Sequence, residues 1–346
     1  MDRKHSAAYR LSASTPGATS IDVLFVVLPD SLLLDLAGPA EAFRLANQAL
    51  QRRGQAPLFR MRFVGPIPQV ASSVGLRLAD IEPLPATLDG PSWVVLLGRP
   101  GDAVQVLRRQ RAWLSTRDWL SRTLWPRVMA AGAAHRLLTV CVGALLAADA
   151  GLIGQRRCTT HHELLDELAA IAPRAQVLAN RVFVEDGPLL SSAGITAGID
   201  LALHCIAQHC GDALAATVAQ VMVVHGRRHA QDPQRSPLLS FRDHLHPAVH
   251  RVQEAVCEKP GDPWSAEALS GIAHVTPRQL ARLFREHTGL TPRAYVEHVR
   301  VALAQQALRR GASGLQAADL AGFTSDRQWR RAKARHQDTP AHHDAA

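Results

Sequence analysis

The spacing of hydrophobic and polar residues changes once along the chain, near residue 224. Before that point, short apolar runs alternate with longer segments in which apolar residues recur with the period of a helix. The runs expected to form buried strands are residues 21–28, 59–64, 93–97 and 137–141. Helices are expected at residues 40–50, 104–130 with a break at Pro126, 143–150 and 195–208. This alternation predicts an α/β domain with a mostly parallel sheet over residues 21–224.

The remainder of the chain contains no segment typical of a strand. Residues 225–245 are rich in Arg, His, Pro and Gln with little periodicity, and we interpret them as an interdomain linker. An all-α domain is predicted over residues 246–346, with helices at 247–258, 266–273, 277–287, 292–309, 315–321 and 326–336. Residues 1–20 are polar and lack the apolar core of a secretory signal, which predicts a disordered tail.

Charge and cysteine content narrow the function classes. The 39 Lys+Arg against 30 Asp+Glu give a formal net charge of +9, which favours a polyanionic partner such as nucleic acid. The five cysteines are odd in number and form no Cys-x-x-Cys pair, so neither a disulfide framework nor a thiolate zinc site is predicted. The longest apolar stretch, residues 137–153, is interrupted by Gly143, Asp149 and Gly151, so no membrane span is predicted. A reducing cytoplasm fits these features.

A weak internal repeat relates two parts of the C-terminal domain. Residues 272–276 (IAHVT) align with residues 320–324 (LAGFT), and the same alignment pairs Arg282 with Arg330. Each unit consists of a short helix, a turn and a longer helix with arginines on its outer face. This is the helix-turn-helix plan, in which the second helix enters the major groove of DNA.

The longer helix of each unit carries side chains suited to base recognition, since arginine pairs bidentately with guanine and glutamine with adenine. An inward stripe is predicted from Leu280, Leu283, Phe284 and His287. The outward candidates are Arg278, Gln279, Arg282 and Arg285 in the first unit and Arg327, Arg330 and Arg331 in the second. The alternative is that these arginines form only the solvated face of an amphipathic helix. The second unit, at this spacing, argues against that alternative.

Residues 264–308 (WSAEALSGIAHVTPRQLARLFREHTGLTPRAYVEHVRVALAQQAL) resemble the first helix-turn-helix of AraC-family regulators and the long helix that follows it. Residues 318–331 (ADLAGFTSDRQWRR) resemble the second motif. The resemblance implies binding to successive major-groove segments on one face of the duplex. His274 stands where the family often has a turn glycine, so backbone strain is expected there if φ is positive. Lys333 stands where the family buries an aromatic residue, so the second motif is expected to pack loosely, with Trp329 as a substitute anchor.

Cys141 lies where a predicted strand passes into a predicted helix (LLTVCVGALLAADA). The segment is typical of a nucleophile elbow, which exposes the sulfur near a helix N-terminus and favours the thiolate. The alternative is a buried, inert core cysteine. The residues alone leave both interpretations open.

Three segments of the first domain resemble the ThiJ/PfpI group of the class I glutamine amidotransferase-like superfamily, which implies a flavodoxin-like fold. They are residues 33–43 (LLDLAGPAEAF), 139–162 (TVCVGALLAADAGLIGQRRCTTHH) and 191–204 (SSAGITAGIDLALH). The resemblance implies a carboxylate, Asp35, beside Cys141, and a histidine near them that is either His161 or His162.

The resemblance also bears on catalysis. Val142 stands where peptidase-like members have a histidine base and isonitrile-hydratase-like members a threonine, so proteolysis is disfavoured and hydration weakened. We expect a vestigial pocket with Cys141, Asp35 and His161 rather than an active site. In the loop 97–101 (LGRPG), Arg99 is expected to point into solvent. The run His161-His162-Glu163 is not expected to bind a metal, because adjacent helical residues diverge by about 100°.

Together the two resemblances identify the chain as a member of the GlxA-like branch of AraC-type regulators. They imply a sequence-specific transcriptional regulator whose partners are double-stranded DNA, a small-molecule effector, a second copy of the chain and RNA polymerase. No cofactor and no metal are implied. The alternative function is a Cys-dependent hydratase or amidase of the isonitrile-hydratase type with an appended helical module.

Overall fold

The computed structural model describes residues 20–100, 104–130, 134–224, 228–230, 232, 234, 241–242, 244–309 and 311–337. The chain divides into two compact units, Met1–Gln234 and Arg235–Ala346. Residues 1–19 of the predicted tail (1–20) and much of the predicted linker of residues 225–245 lie outside the described residues. None of the described helices combines the length and apolar composition that a membrane span requires.

A seven-stranded sheet forms the centre of the first unit. Its strands are β1 (Ile21–Val26), β2 (Phe59–Gly65), β5 (Glu82–Pro83), β6 (Ser92–Leu96), β7 (Arg136–Val140), β10 (Phe183–Asp186) and β11 (Leu189–Ser192). Two small sheets are formed by β3 (Val70–Ala71) with β4 (Arg77–Leu78) and by β8 (Arg157–Cys158) with β9 (Gln176–Val177). The order in the main sheet is β10-β11-β7-β6-β1-β2-β5, and only the β10–β11 pair is antiparallel. The prediction of an α/β domain with a mostly parallel sheet is confirmed.

Two groups of helices pack against this sheet. The helices are α1 (Leu33–Arg52), α2 (Val104–Leu107), α3 (Arg111–Trp119), α4 (Trp125–Val128), α5 (Gly143–Asp149), α6 (Leu165–Ile171), α7 (Ala197–Cys210) and α8 (Asp212–Val221). Helices α1, α7 and α8 contact one another, whereas α5 contacts α3 and α6. Strands β1, β6 and β7 are almost wholly buried, and for this reason their sequences are nearly continuous apolar runs, whereas β2 alternates and is partly exposed.

The order of connection places a switch point at one edge of the sheet. From β1 the chain passes first to β2 on one side and later to β6 on the other side. Ligands in open α/β sheets bind at such a switch point, outside the carboxyl ends of the strands. Strands β1, β6, β7 and β11 all end at this edge because they are parallel, and the segments that follow them therefore begin there. These segments carry Asp35, Gly98, Cys141 and Ile195.

Two local predictions about the first unit were wrong, and one element was missed. Helix α1 begins at Leu33 rather than at residue 40 and contains Pro39, because tertiary contacts of its first turn outweigh the hydrogen bond that proline removes. The helical run 104–130 is interrupted after Leu107 and by a π-helical stretch, Leu120–Leu124, whereas Pro126 lies in the first turn of α4, where proline is tolerated. The β10–β11 hairpin was missed, although an Asp-Gly pair (Asp186-Gly187) between apolar runs indicates one.

The second unit is entirely helical in its described part. Its helices are α9 (Pro247–Glu258), α10 (Ala266–Ala273), α11 (Pro277–Thr288), α12 (Pro292–Arg309), α13 (Gly314–Leu320) and α14 (Asp326–Gln337). One apolar core joins α9, α10, α11 and the first half of α12, and another joins the second half of α12 with α13 and α14. The prediction of an all-α domain with two helix-turn-helix motifs is confirmed.

Candidate nucleic-acid interface and cysteine site

The first helix-turn-helix consists of α10 and α11, and its turn is closed by caps at both helices. His274 ends α10 in the left-handed conformation, with φ 56° and ψ 41°. The Thr276 hydroxyl accepts a hydrogen bond from the Gln279 backbone N–H and caps α11. Leu280 and Phe284 are buried in the core shared with α9 and α12. Helix α11 is therefore fixed at its start and along its inner face.

The outer face of α11 does not pack against the apolar core. The candidates for base recognition, Arg278, Gln279, Arg282 and Arg285, are all exposed. The Arg282 guanidinium lies 3.3 Å from the Glu286 carboxylate, and both side chains are more than half exposed. An ion pair of this kind contributes at most about 1 kcal/mol, so it restrains Arg282 only weakly.

The second motif, α13 and α14, repeats the plan with one residue more between the left-handed turn residue and the cap of the second helix. Gly322 has φ +74° and stands where His274 stands in the first turn. The cap of α14 is Ser325, whose hydroxyl accepts from the Gln328 backbone N–H. Measured from the caps, Trp329 corresponds to Leu280 and Arg331 to Arg282. The predicted pairing of Arg282 with Arg330 is therefore wrong by one residue, because a repeat alignment without gaps does not detect a longer turn.

Trp329 is the aromatic anchor of the second motif. Its side chain is buried with Phe323 and Ala332, and the Lys333 ammonium lies 5.3 Å from its ring centroid. Around this anchor Arg327, Arg330 and Arg331 are exposed. Arg330 differs from the other two because its Nε lies 2.8 Å from the Asp326 carboxylate one turn earlier.

Helix α12 connects the two motifs as a single element. Tyr295 and Val299 belong to the core of the first motif, whereas Val301 and Ala304 belong to that of the second. An ion pair from α12 to α14 adds a second tie, with Arg335 Nε and Nη2 at 3.0 and 2.9 Å from the two carboxylate oxygens of Glu297. Both longer helices are thus held at a fixed separation.

Replacing His274 with glycine is expected to stabilise the second unit by about 0.5–1 kcal/mol, since a residue with a Cβ is strained in the left-handed conformation. The free energy of unfolding is measured by urea denaturation of the full chain, following the transition of the helical unit. Ala268→Gly, at an exposed position in the first turn of α10, is the control and should destabilise by about 0.5–1 kcal/mol. Equal losses in both variants would show that His274 carries no strain.

Cys141 lies at the sharp turn between β7 and α5. Its φ is +52°, its N–H donates to the Ser192 carbonyl (3.1 Å) and its carbonyl accepts from the Thr160 hydroxyl (2.8 Å). Gly194 and Gly98 approach it so closely that added Cβ atoms would lie 2.4 and 2.8 Å from the Cys141 Cβ. The elbow predicted from the sequence is present, but its side chain is enclosed and only 5% exposed.

Asp35 lies beside the two loops that carry Gly98 and Gly194. Its carboxylate is fully buried and accepts hydrogen bonds from the backbone N–H groups of Gly98 (3.1 Å) and Ile195 (2.7 Å). Burial raises the pKa of Asp35 to about 6, and the two backbone donors offset part of that rise. Burial, and next the charge of Asp35, raise the pKa of the Cys141 thiol to about 12. The thiol is therefore neutral at physiological pH. Of the two interpretations that the residues left open, the structure favours the buried cysteine over the exposed thiolate, because enclosure outweighs the helix N-terminus.

Replacing Asp35 with asparagine is expected to flatten the pH dependence of the first unit's stability. The folded state keeps the Asp35 proton up to about pH 6, whereas the unfolded state loses it near the ordinary aspartate pKa of 3.8. Between these values the folded state binds more protons, so stability falls as pH rises, by about 3 kcal/mol in total. Urea denaturation between pH 4 and 8 measures the difference. The exposed Asp166→Asn serves as control and should keep the wild-type slope, and a wild-type slope in Asp35→Asn would contradict the assignment.

His161 and His162 lie at the start of a short 3₁₀ helix, His162–Leu164, next to Thr160. Their ring centroids are 4.2 Å apart, and His161 Nδ1 lies 3.4 Å from the Glu163 carboxylate. The ligand atoms of all three residues lie within 4.8 Å of one another. Adjacent helical residues diverge, but His161 precedes the helix with an extended ψ of 140°, so the two rings lie close together. That this group binds no metal stays a prediction.

Two further residues at this edge of the sheet differ from expectation. Arg99 does not point into solvent, since it is 3% exposed and its Nη1 donates to the Gln110 side chain (2.8 Å). The backbone N–H of Ile195, which holds Asp35, was not recognised from the sequence. The glycine at position 194, inside the segment SSAGIT, is the signal that marks this close approach.

Two family models match the chain. The helix-turn-helix domain model matches residues 269–343, and the DJ-1/PfpI family model matches residues 129–208. The first covers α11 to α14 and the second covers the Cys141 elbow and most of α7.

Curated relatives share both parts. The HTH-type transcriptional regulator CdhR of Pseudomonas aeruginosa is 30% identical over 93% of this chain and 91% of its own length. The HTH-type transcriptional regulator GlxA of Rhizobium meliloti is 29% identical over 81% of each chain. An isonitrile hydratase of Pseudomonas putida is 31% identical, over only 53% of this chain and 70% of its own length. Similarity along nearly the whole chain is thus to regulators and not to the enzyme, and the chain belongs to the AraC family of helix-turn-helix transcriptional regulators, in the branch with a DJ-1/PfpI-type first domain.

Proposed function

We propose that this regulator binds double-stranded DNA with the outer faces of α11 and α14, through Arg278, Gln279, Arg282 and Arg285 and through Arg327, Arg330 and Arg331. One observation carries the proposal: two capped helices, held by a single connecting helix, display arginines at equivalent positions on their exposed faces. Helices held in this way suit two successive segments of the major groove. The guanidinium groups pair with guanine edges and the Gln279 amide with adenine.

The first unit, in this proposal, senses a small nitrogenous or amino-acid-derived metabolite at the Asp35–Cys141 site and pairs with the first unit of a second copy. The support is the position of the site at the switch point of the sheet and the buried carboxyl with a pKa near 6, which changes charge with a modest change of surroundings. An effector alters DNA binding only if it binds two arrangements of the protein with different affinities. The cytoplasm as compartment and RNA polymerase as a partner on DNA belong to the same proposal.

Selection of bound fragments from genomic DNA by the full chain tests DNA binding directly. Enriched fragments are expected to bind at least about 10³-fold more tightly than random duplexes of equal length at physiological salt. Affinity should fall as salt rises, because each neutralised phosphate releases counterions. Equal affinity for enriched and random duplexes would contradict a sequence-specific regulator.

Catalysis by Cys141 is the competing function, and the likeness to isonitrile hydratase is the observation in its favour. The neutral, enclosed thiol and the apolar Val142 beside it argue against this function. Assay of the full chain with an isonitrile and a simple amide is expected to show no turnover above background. Turnover that disappears in Cys141→Ala, with DNA binding unchanged, would instead favour the enzyme.

A further inference from the structure

The last described residues of the first unit, 228–230, 232 and 234, form a strap across the loops around Cys141. At its beginning, the Arg228 backbone N–H and Nε donate to the two carboxylate oxygens of Asp200 at 2.9 and 2.8 Å. Arg228 Nη2 also donates to the Thr196 hydroxyl (2.8 Å). The sequence pattern of this stretch indicates only a linker, but its described residues are bound to the first unit.

The end of the strap is attached to a different loop. The Gln234 side-chain amide donates to the Thr160 carbonyl (2.8 Å) and the Thr159 hydroxyl (3.3 Å), and its backbone N–H donates to the Asn180 side chain (3.1 Å). Between the two ends, the Asp232 carbonyl accepts from the Val182 N–H (3.0 Å). The strap therefore connects the loop after β11 with the loop after β8.

Both attachment loops also hold the cysteine site. Ile195, next to Thr196, donates its N–H to Asp35, and the Thr160 hydroxyl donates to the Cys141 carbonyl. At the Arg228 end, the bonded Thr196 is the neighbour of Ile195, which holds Asp35. At the Gln234 end, the bonded Thr160 itself holds Cys141. A ligand that displaces either loop must change how the strap is held.

The two ends differ in strength. Asp200 is 5% exposed, and removing Arg228 would leave a buried carboxylate without its cation, which is among the most costly changes in a protein. Gln234 makes neutral hydrogen bonds, each contributing about 1 kcal/mol, and its buried Oε1 has no partner within the described part of the chain. The Gln234 end is therefore the more weakly attached of the two.

We propose that the strap transmits the state of the Asp35–Cys141 site to the DNA-binding unit, with Arg228 as its fixed end and Gln234 as its releasable end. Chain connectivity supports this role, since the first unit ends at Gln234 and the second begins at Arg235. Release of Gln234 frees the point from which the chain continues to the second unit. The inference rests on the proposed function, because it assumes that the site binds an effector and that the second unit binds DNA.

The first test uses the reciprocity of coupling. If the state of the Asp35–Cys141 site changes how the strap is held, loosening the strap must change the state of the site. In the full chain, Gln234→Ala is expected to speed iodoacetamide labelling of Cys141 about fivefold, the equivalent of about 1 kcal/mol. Peptide mapping separates Cys141 from the other cysteines. The matched control is Gln176→Ala, an exposed glutamine of the same unit, which should label like wild type. Wild-type labelling in Gln234→Ala would overturn the coupling of strap and site, and this readout does not depend on DNA.

The second test is a double-mutant cycle on DNA affinity. Cys141→Met enlarges a side chain that is enclosed by two glycines, and it should shift the Kd for an enriched duplex at least threefold in the wild-type background. The shift should vanish in the Gln234→Ala background. Equal shifts in both backgrounds, or none in either, would overturn transmission through the strap. If wild type prefers no duplex, the proposed function and transmission to DNA both fail, while the labelling rate still decides whether strap and site are coupled.

Discussion

Replacement of both Arg278 and Arg282 with alanine is expected to weaken binding to an enriched duplex by about 2–6 kcal/mol, since each base-contacting arginine contributes about 1–3 kcal/mol. This corresponds to a loss of roughly 30-fold to 10⁴-fold in affinity. Binding to random duplexes should change much less, because phosphate contacts from other basic residues remain. Fluorescence anisotropy with enriched and random duplexes measures both affinities.

The control for charge is Arg52→Ala with Arg174→Ala, two exposed arginines of the first unit whose removal lowers the net charge equally. This variant should keep the preference for the enriched duplex. Circular dichroism and the urea midpoint should be unchanged in both double variants, because all four side chains are exposed. Equal losses on enriched and random duplexes would show that α11 contacts only the DNA backbone.

The longer turn of the second motif leads to a more specific expectation. Counted from the helix caps, Arg331 stands at the position of Arg282, whereas Arg330 stands at the position of Ala281. Arg331→Ala should therefore weaken specific binding by about 1–3 kcal/mol, and Arg330→Ala by clearly less. The reverse order in the same anisotropy assay would support the ungapped repeat alignment instead.

Gly194→Ala is expected to destabilise the first unit by about 2–5 kcal/mol. A φ of +94° costs a residue with a Cβ about 1–2 kcal/mol, and overpacking adds about 1–3 kcal/mol. The added methyl would lie 2.4 Å from the Cys141 Cβ and 3.1 Å from its Cα, so relief requires movement of the elbow backbone. Urea denaturation of the full chain measures the loss in the transition of the α/β unit.

Gly187→Ala separates the two causes. Gly187 has φ +62°, but an added Cβ there meets no atom within 4 Å, so only the conformational cost of about 1–2 kcal/mol is expected. If both variants lose the same free energy of unfolding, close packing of residue 194 against Cys141 contributes nothing to the loss in Gly194→Ala.

Much of the site could be predicted from neighbouring residues, and some of it could not. The outward position of Arg278 and Arg282 follows from a 3.6-residue period with Leu280, Leu283 and Phe284 on the opposite side. The strained backbone of His274 could be predicted from its place in the turn between α10 and α11. Which arginine of the second motif corresponds to Arg282 could not be predicted, because the extra turn residue becomes visible only when Ser325 is seen to cap α14.

The amino-acid sequence by itself determined the two-domain architecture, since hydrophobic periods of strand and helix depend on residues close together in the chain. It also determined which arginines face outward. The tertiary structure decided the chemistry of Cys141, because the groups that enclose it come from Asp35, Gly98 and Gly194, which are distant in the chain. Burial and protonation depend on such distant contacts, and a local pattern of residues does not record them.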